Sequence, residues 1–141
     1  MKKIVIALLV LVSSFSLAQD SYFGVHLGTF GLFVAGAQIG TEVSDNTDVR
    51  LIFELWPQST SLLSSDILYT QNLSGSSSKL YLGAGIDLIF LPTDLQRLFG
   101  AHITAGMEFL FEEAGLYFEF QPTMIYYLPI TKLKAGINFH F

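Results

Sequence analysis

The 141-residue chain contains no cysteine, which excludes a disulfide framework, a thiolate metal site and a cysteine nucleophile. Only 13% of its residues are charged, against roughly 25% in an ordinary soluble domain. Basic residues are scarce, with 7 Lys and Arg against 12 Asp and Glu, and this balance argues against a nucleic-acid partner. Apolar residues make up 51% of the chain and aromatic residues 14%, so the chain is not disordered.

The first 18 residues have the three parts of a secretory signal peptide. Lys2 and Lys3 are basic, residues 4–12 form an apolar run, and Ser16 and Ala18 supply small residues before a cleavage site. A membrane anchor is the alternative, but this run is less than half of the roughly 20 residues that a spanning helix needs. Beyond residue 19 we expect no transmembrane helix. Removal of residues 1–18 would leave one acidic domain, residues 19–141.

Apolar and polar residues alternate through nearly all of this domain, as in β-strands with two different faces. The alternating runs are residues 22–29, 33–43, 48–56, 79–90, 99–111, 115–124 and 132–141, with a weaker run at 61–73. Turn-forming clusters separate them near residues 29–32, 44–47, 57–60, 74–78, 92–97, 112–115 and 128–130. Eight strands of about 10 residues fit this length, and an even number returns both termini to the same end.

The alternation does not by itself say which face is outside, because a soluble lipocalin-like barrel would point its apolar face inward. Nine of the 12 glycines lie on the polar face, where they suit the crowded interior of a narrow barrel better than a wet surface. The other face has no charge and carries phenylalanines, as a lipid-facing band does: Phe23, Phe33, Phe53, Phe90, Phe99, Phe109, Phe111, Phe118, Phe120, Phe139 and Phe141. We therefore predict an all-β, antiparallel, up-and-down transmembrane β-barrel of eight strands with short turns.

With its export signal, eight alternating strands and a last strand that ends in Phe141, the chain resembles the small eight-stranded outer-membrane β-barrel family of bacteria. The resemblance covers residues 19–141. It implies an outer-membrane location, contact with outer-membrane lipids, and recognition by the barrel-assembly machinery through a terminal aromatic pattern that Phe139 and Phe141 complete. The loops at residues 57–60, 92–97 and 128–130 are shorter than is usual in the family, which argues against adhesion or receptor function carried by loops.

The polar face supplies the candidate functional residues. An eight-stranded barrel is filled by its own side chains, so the charges that line its lumen must pair. We expect a lumen polar network of Glu42, Arg50, Glu54, Asp87, His102, Glu108, Glu119, Lys132 and Lys134.

The expected turns suggest five pairings between neighbouring strands. A turn centred on Asn46 would place Glu42 opposite Arg50 and Glu54 opposite Gln38. A turn at residues 113–114 would place Glu108 opposite Glu119, where one carboxyl would hold a proton or a cation such as Arg50 would lie between the two. A loop over residues 92–97 would place Asp87 opposite His102, with Ser64 facing Asp87 from the other neighbouring strand.

Two of these groups of residues resemble catalytic residues in type, but neither favours catalysis. Ser64, Asp87 and His102 are hydrolase residue types, but Asp87 is expected in the middle, whereas a catalytic His must bridge the nucleophile and its orienting carboxylate. The pair of Glu108 and Glu119 could serve acid–base or metal chemistry, yet no nucleophile or cleft is expected beside it. We expect no cofactor and no metal.

We interpret the chain as a non-enzymatic outer-membrane barrel with a structural or envelope role, or as a minor small-solute channel. Two other classes stay open: an outer-membrane lipid-modifying enzyme of the acyl hydrolase class, and a soluble periplasmic lipocalin-like carrier. The sequence does not determine the oligomeric state.

Overall fold

The computed structural model describes residues 20–29, 32–92 and 97–141, so the expected signal peptide at residues 1–18 lies outside the described residues. Within them, eight strands form one closed barrel: β1 Ser21–Thr29, β2 Phe33–Ser44, β3 Thr47–Trp56, β4 Thr60–Asn72, β5 Ser78–Phe90, β6 Arg97–Phe111, β7 Ala114–Ile125 and β8 Leu128–His140. Each strand pairs antiparallel with its neighbours in the sequence, and β8 closes the barrel on β1. The predicted fold class is therefore confirmed. In the described part of the chain, no helix has the length and apolar character needed to cross a membrane.

Three of the hairpins have two-residue turns, which keep neighbouring strands in a tight, twisted pair. These turns are Asp45 and Asn46, Glu112 and Glu113, and Tyr126 and Tyr127. Glu112 and Tyr126, the first residues of two of these turns, have φ values of 52° and 54°, and a positive φ at this position is common in two-residue hairpin turns. The expected turn at residues 128–130 is wrong, because the chain reverses at the two tyrosines and β8 already begins at Leu128.

The two faces of the strands have opposite chemistry. Outward-facing phenylalanines are well exposed, for example Phe33 at 86% and Phe99 at 67%, whereas Arg50 and Glu54 inside the barrel are at most 1% exposed. The apolar face therefore forms the outer wall and the polar face lines the lumen, as the glycine positions indicate. Glycines make room inside the wall: a Cβ at Gly106 would collide with the ring of Tyr81, which lies directly over it from the neighbouring strand.

The two ends of the barrel differ. The start of β1, the C-terminal residue Phe141 and the β2–β3, β4–β5 and β6–β7 turns lie at one end, which we call the terminal end. At the opposite end the lumen is filled by Leu62, Ile89 and Ile125. The half-buried side chains of Trp56, Leu91, Leu98 and Ile130 pack against these three residues, and we call the seven together the apolar plug. Charged side chains fill the lumen between the plug and the terminal end.

Candidate functional site

The candidate site is the set of polar side chains inside the barrel, because strand alternation points them all at the same narrow space. Its centre is Arg50 on β3, only 1% exposed. Arg50 Nε and Nη2 donate to Asp66 Oδ2 at 2.9 and 2.6 Å, and Nη1 donates to Glu119 Oε2 at 2.7 Å. A further bond from Nη1 reaches Gln38 Oε1 at 3.3 Å. The guanidinium therefore ties β3 to its neighbours β2 and β4, and to β7 across the lumen.

Two lysines on β8 continue this network toward the apolar plug. Lys134 Nζ lies 2.6 Å from Glu54 Oε1 and 3.6 Å from Glu119 Oε1. Lys132 Nζ lies 3.5 Å from Glu54 Oε2 and 4.0 Å from Asp87 Oδ1. Glu54 also accepts a hydrogen bond from Trp56 Nε1 at 3.0 Å, so this carboxylate connects the charged part of the lumen to the plug.

His102 on β6 lies between two carboxylates. Its Nδ1 is 2.8 Å from Asp87 Oδ2, and its Nε2 is 2.7 Å from Asp66 Oδ1. A doubly protonated imidazolium satisfies both contacts as a donor, because ionised carboxylates only accept hydrogen bonds. Ser64 donates its hydroxyl proton to Asp87 Oδ1. The order is thus serine, aspartate, histidine, with Asp87 in the middle as expected, and Ser64 is bonded to the carboxylate rather than to the imidazole.

The central charges balance. Arg50, Lys132, Lys134 and a protonated His102 supply four positive charges, while Glu54, Asp66, Asp87 and Glu119 supply four negative ones, all within 4.0 Å of an opposite partner. Such balance offsets the large cost of taking ions out of water. The two members of each ion pair lie on different strands, so the network links the strands of the wall from inside the barrel.

A second group lies at the terminal end. Glu108 Oε1 accepts a hydrogen bond from Asn138 Nδ2 at 2.7 Å and lies 3.0 Å from His140 Nε2. Asn138 in turn accepts a bond from Gln38 Nε2 at 2.7 Å, which joins this group to Arg50. Asp48 pairs with Lys79 at 3.3 Å nearby.

Four expected cross-strand pairings are wrong, each by two residues, and two of them join β2 to β3. Glu42 is opposite Asp48 rather than Arg50, and Glu54 is opposite Gly36 rather than Gln38. The reason is that the β2–β3 turn is Asp45 and Asn46, with an irregularity in pairing between Glu42 and Ser44. Glu42 consequently lies half-buried at the terminal end, away from the central charges.

The expected carboxylate pair does not form, because the β6–β7 turn is Glu112 and Glu113, one residue earlier than expected. Glu108 is opposite Tyr117, and Glu119 is opposite Gly106. Each carboxylate has its own donors, so neither needs to share a proton with the other. Arg50 contacts Glu119 and leaves Glu108 to Asn138 and His140.

The pairing of Asp87 and His102 is also displaced, since Asp87 is opposite Gly100 and His102 is opposite Gly85. The two side chains nevertheless meet diagonally across the hairpin, because glycine at both opposing positions leaves the space free. The expected pairing of Ser64 with Asp87 is confirmed.

Sequence reasoning missed Asp66, which bonds both Arg50 and His102. Asp66 lies on β4, in the run where alternation is weakest, because Ser65 and Gln71 occupy its outward face. Asp66 could have been identified because it lies two residues from Ser64, on the same inward face of β4. Among the described residues, no group of three or more His, Asp or Glu side chains is arranged to hold a metal ion.

Comparison with solved structures shows the same fold. The chain is similar to the N-terminal β-barrel domain of Pseudomonas aeruginosa OprF, with a TM-score of 0.78 and 18% identity over 88% of this chain and 98% of that one. It is similar to a de novo designed transmembrane β-barrel, with a TM-score of 0.70 and 16% identity over 88% of this chain and 97% of the design. It is also similar to Neisserial surface protein A, with a TM-score of 0.62 and 14% identity over 86% of this chain and 95% of that one.

No protein-family model and no curated protein matches the sequence. At these identities, the likeness identifies the fold alone: a closed antiparallel barrel of eight strands.

Proposed function

We propose that this chain is an integral β-barrel of the bacterial outer membrane, with a filled polar lumen and a structural role in the cell envelope. One observation carries the proposal: through the middle of its strands, the barrel exposes apolar residues and buries charged ones. Leu82, Ile86 and Ile103 on the outer wall are between 57% and 69% exposed. Asp87 and His102, which adjoin two of them in the chain, point inward and are at most 4% exposed. Water would penalise such a wall, whereas the hydrocarbon core of a membrane stabilises it.

The filled lumen supports a structural role over transport. Arg50 and its partners occupy the middle of the barrel, and the apolar plug occupies the end opposite the termini. An ion that crossed would have to displace paired charges and then pass a constriction that offers it no polar contact. We therefore favour a structural role over the role of a minor small-solute channel.

The same geometry is unfavourable for an acyl hydrolase. Ser64 Oγ bonds the carboxylate of Asp87, and both nitrogens of His102 face carboxylates, so the imidazole is not placed to take the serine proton. All three side chains are at most 4% exposed, which keeps a lipid ester away from them. We accordingly propose a non-enzymatic protein without a cofactor.

Export and assembly complete the proposal. Residues 1–18 would act as the cleaved signal peptide, and residues 19–141 would form the mature barrel. The last outward-facing residues of the chain, Phe139 and Phe141, are 49% and 73% exposed and accessible for recognition by the barrel-assembly machinery.

The experiment is fractionation of cells that express the full chain, followed by electrophoresis with and without boiling. A closed membrane barrel needs detergent for extraction and migrates faster when it is not heated. A soluble periplasmic carrier would instead be released by osmotic shock, and that result would contradict the proposal.

A further inference from the structure

The inward-facing positions change character at the plug end of the barrel. Through the middle of the strands most of them are charged, polar or glycine, with Ile52 and Leu68 as apolar exceptions. At the plug end they become Trp56, Ile89, Ile125 and Ile130. Ion pairs that continued to the rim would also close the lumen to water. Closure alone therefore does not explain why this end of the lumen is apolar.

A cavity of about 280 Å³ opens on the outer side of the apolar plug. Ile89 and Ile125 form its floor, and Trp56, Leu91, Leu98 and Ile130 contribute to its walls. Among the described residues that line it, Thr60 is the only one with a hydroxyl, amide or charged group, apart from the indole of Trp56. That indole N–H already donates to Glu54. Water held here would lack most of its hydrogen-bond partners, whereas a hydrocarbon group would not.

The rim of this cavity joins the outer wall without a charged residue on the β7–β8 side, where the turn is Tyr126 and Tyr127. Leu128 lines the cavity and is 71% exposed, and Tyr127 beside it in the turn is 93% exposed. On the β1–β2 side, Leu32 lines the cavity at 52% exposure and is followed by Phe33 at 86%. The cavity and the surface that we assign to lipid are thus one continuous apolar surface.

We propose that this cavity binds an acyl chain of a membrane lipid, which bends over the rim at Leu128 into the mouth of the barrel. The proposal rests on the membrane location proposed above, because continuity with the lipid-facing wall is what selects a lipid as the occupant. The described residues that line the cavity carry no charge, which fits a hydrocarbon chain. The volume is also suitable, since an apolar cavity of about 150 Å³ already binds benzene.

The depth of the site is set by the charged part of the lumen. Lys132 Nζ lies 6.0 Å from the centre of the Trp56 ring on the inner side of the plug, and Glu54 accepts the indole proton there. A chain that went deeper would have to separate these charges. It therefore ends against Ile89 and Ile125, and Trp56 lies beside it.

Trp56 makes the proposal testable, because it is the single tryptophan of the chain. The protein is refolded into phosphatidylcholine vesicles whose acyl chains are either brominated or unmodified, and tryptophan emission is compared. Bromine quenches tryptophan at short range, and the Trp56 side chain lies on the lumen side of the wall. We expect brominated lipid to quench Trp56 strongly.

Two test variants and one control identify the route by which the bromine arrives. Leu98→Phe narrows the cavity, and its matched control Leu82→Phe adds the same atoms to the outer wall, where Leu82 is 59% exposed. We expect Leu98→Phe to reduce the quenching and Leu82→Phe to keep it. Leu128→Asn, at an exposed rim position, should also reduce quenching without a change in packing, which keeps the test valid if Leu98→Phe refolds poorly.

The outcomes separate this inference from the proposed function. Failure of the chain to insert, seen as failure to float with vesicles and to migrate faster without boiling, would contradict the membrane location itself. An inserted barrel whose Trp56 is not quenched, or is quenched equally in all variants, would overturn the acyl-chain site alone. Quenching by a brominated apolar solute added from water, without quenching by brominated lipid, would also overturn it, in favour of a soluble ligand.

Discussion

Arg50 and Asp66 lie directly opposite each other on β3 and β4, and two nitrogens of the guanidinium, Nε and Nη2, share one carboxylate oxygen at 2.9 and 2.6 Å. Both residues are at most 1% exposed. Removal of either partner leaves a buried charge without its main counterion, which costs about 3 to 5 kcal/mol.

A double-mutant cycle tests this pair. Arg50→Ala and Asp66→Ala should each destabilise the barrel, and the double variant should be less destabilised than the sum, with a coupling of about 1 to 3 kcal/mol. The measurement is the folded fraction against urea in lipid vesicles. Arg50→Ala combined with Glu42→Ala is the control, since Glu42 lies opposite Asp48 at the terminal end, and additive effects are expected there. Additivity for Arg50 and Asp66 would mean that they do not interact.

The fold and its two faces could be predicted from the sequence because both depend on a period of two residues. Most of the pairs across the hairpins could not, because each depends on which residues form the turn, and Ser64 with Asp87 is the exception. The errors for Glu42, Glu108 and His102 were all of two positions, so every side chain stayed on its correct face. A shift of one position would have moved these charges into the outer wall, which the hydrophobic pattern forbids.

The ion pairs across the lumen could not be predicted from strand alternation or from hairpin register. Arg50 reaches Glu119 on β7, and Lys134 reaches Glu54 on β3. Neither pair is on adjacent strands, so no hairpin register places them together. Their contact follows from the closure and diameter of the barrel, and from the glycines that leave space between large side chains.

The close packing of Tyr81 over Gly106 gives a second prediction. A Cβ at Gly106 would overlap the tyrosine ring, so Gly106→Ala should destabilise the barrel by about 1 to 3 kcal/mol through overpacking. Gly100→Ala is the matched control on the same strand, because the nearest atom to its added Cβ is 3.1 Å away. Urea titration in vesicles measures both. Equal effects at the two glycines would show that the ring does not fix this position.

The apolar plug gives a prediction about conduction. The intact barrel should conduct ions poorly in planar bilayers, because ions gain no polar contact at Leu62 and Ile89, which are at most 2% exposed at the centre of the plug. The double change Leu62→Ser and Ile89→Ser should raise conductance, while Leu63→Ser on the outer wall should not. Large, steady conductance of the unmodified protein would contradict the filled lumen and favour a channel.

The last prediction concerns the C-terminal aromatic residue. If Phe141 belongs to the signal that the barrel-assembly machinery reads, then Phe141→Ser should lower the yield of barrel in the outer membrane while export to the periplasm continues. Phe111→Ser is the matched control, because Phe111 has a similar exposure of 62% and lies at the same end of the barrel, at the close of β6. Both variants should refold equally well into lipid vesicles, since each loses one exposed ring. The measurement is the ratio of outer-membrane to periplasmic protein in cells, set beside refolding yield in vitro. A Phe141 variant that assembles in cells as well as the Phe111 variant would remove the role in assembly, and one that also fails to refold in vitro would assign the loss to stability.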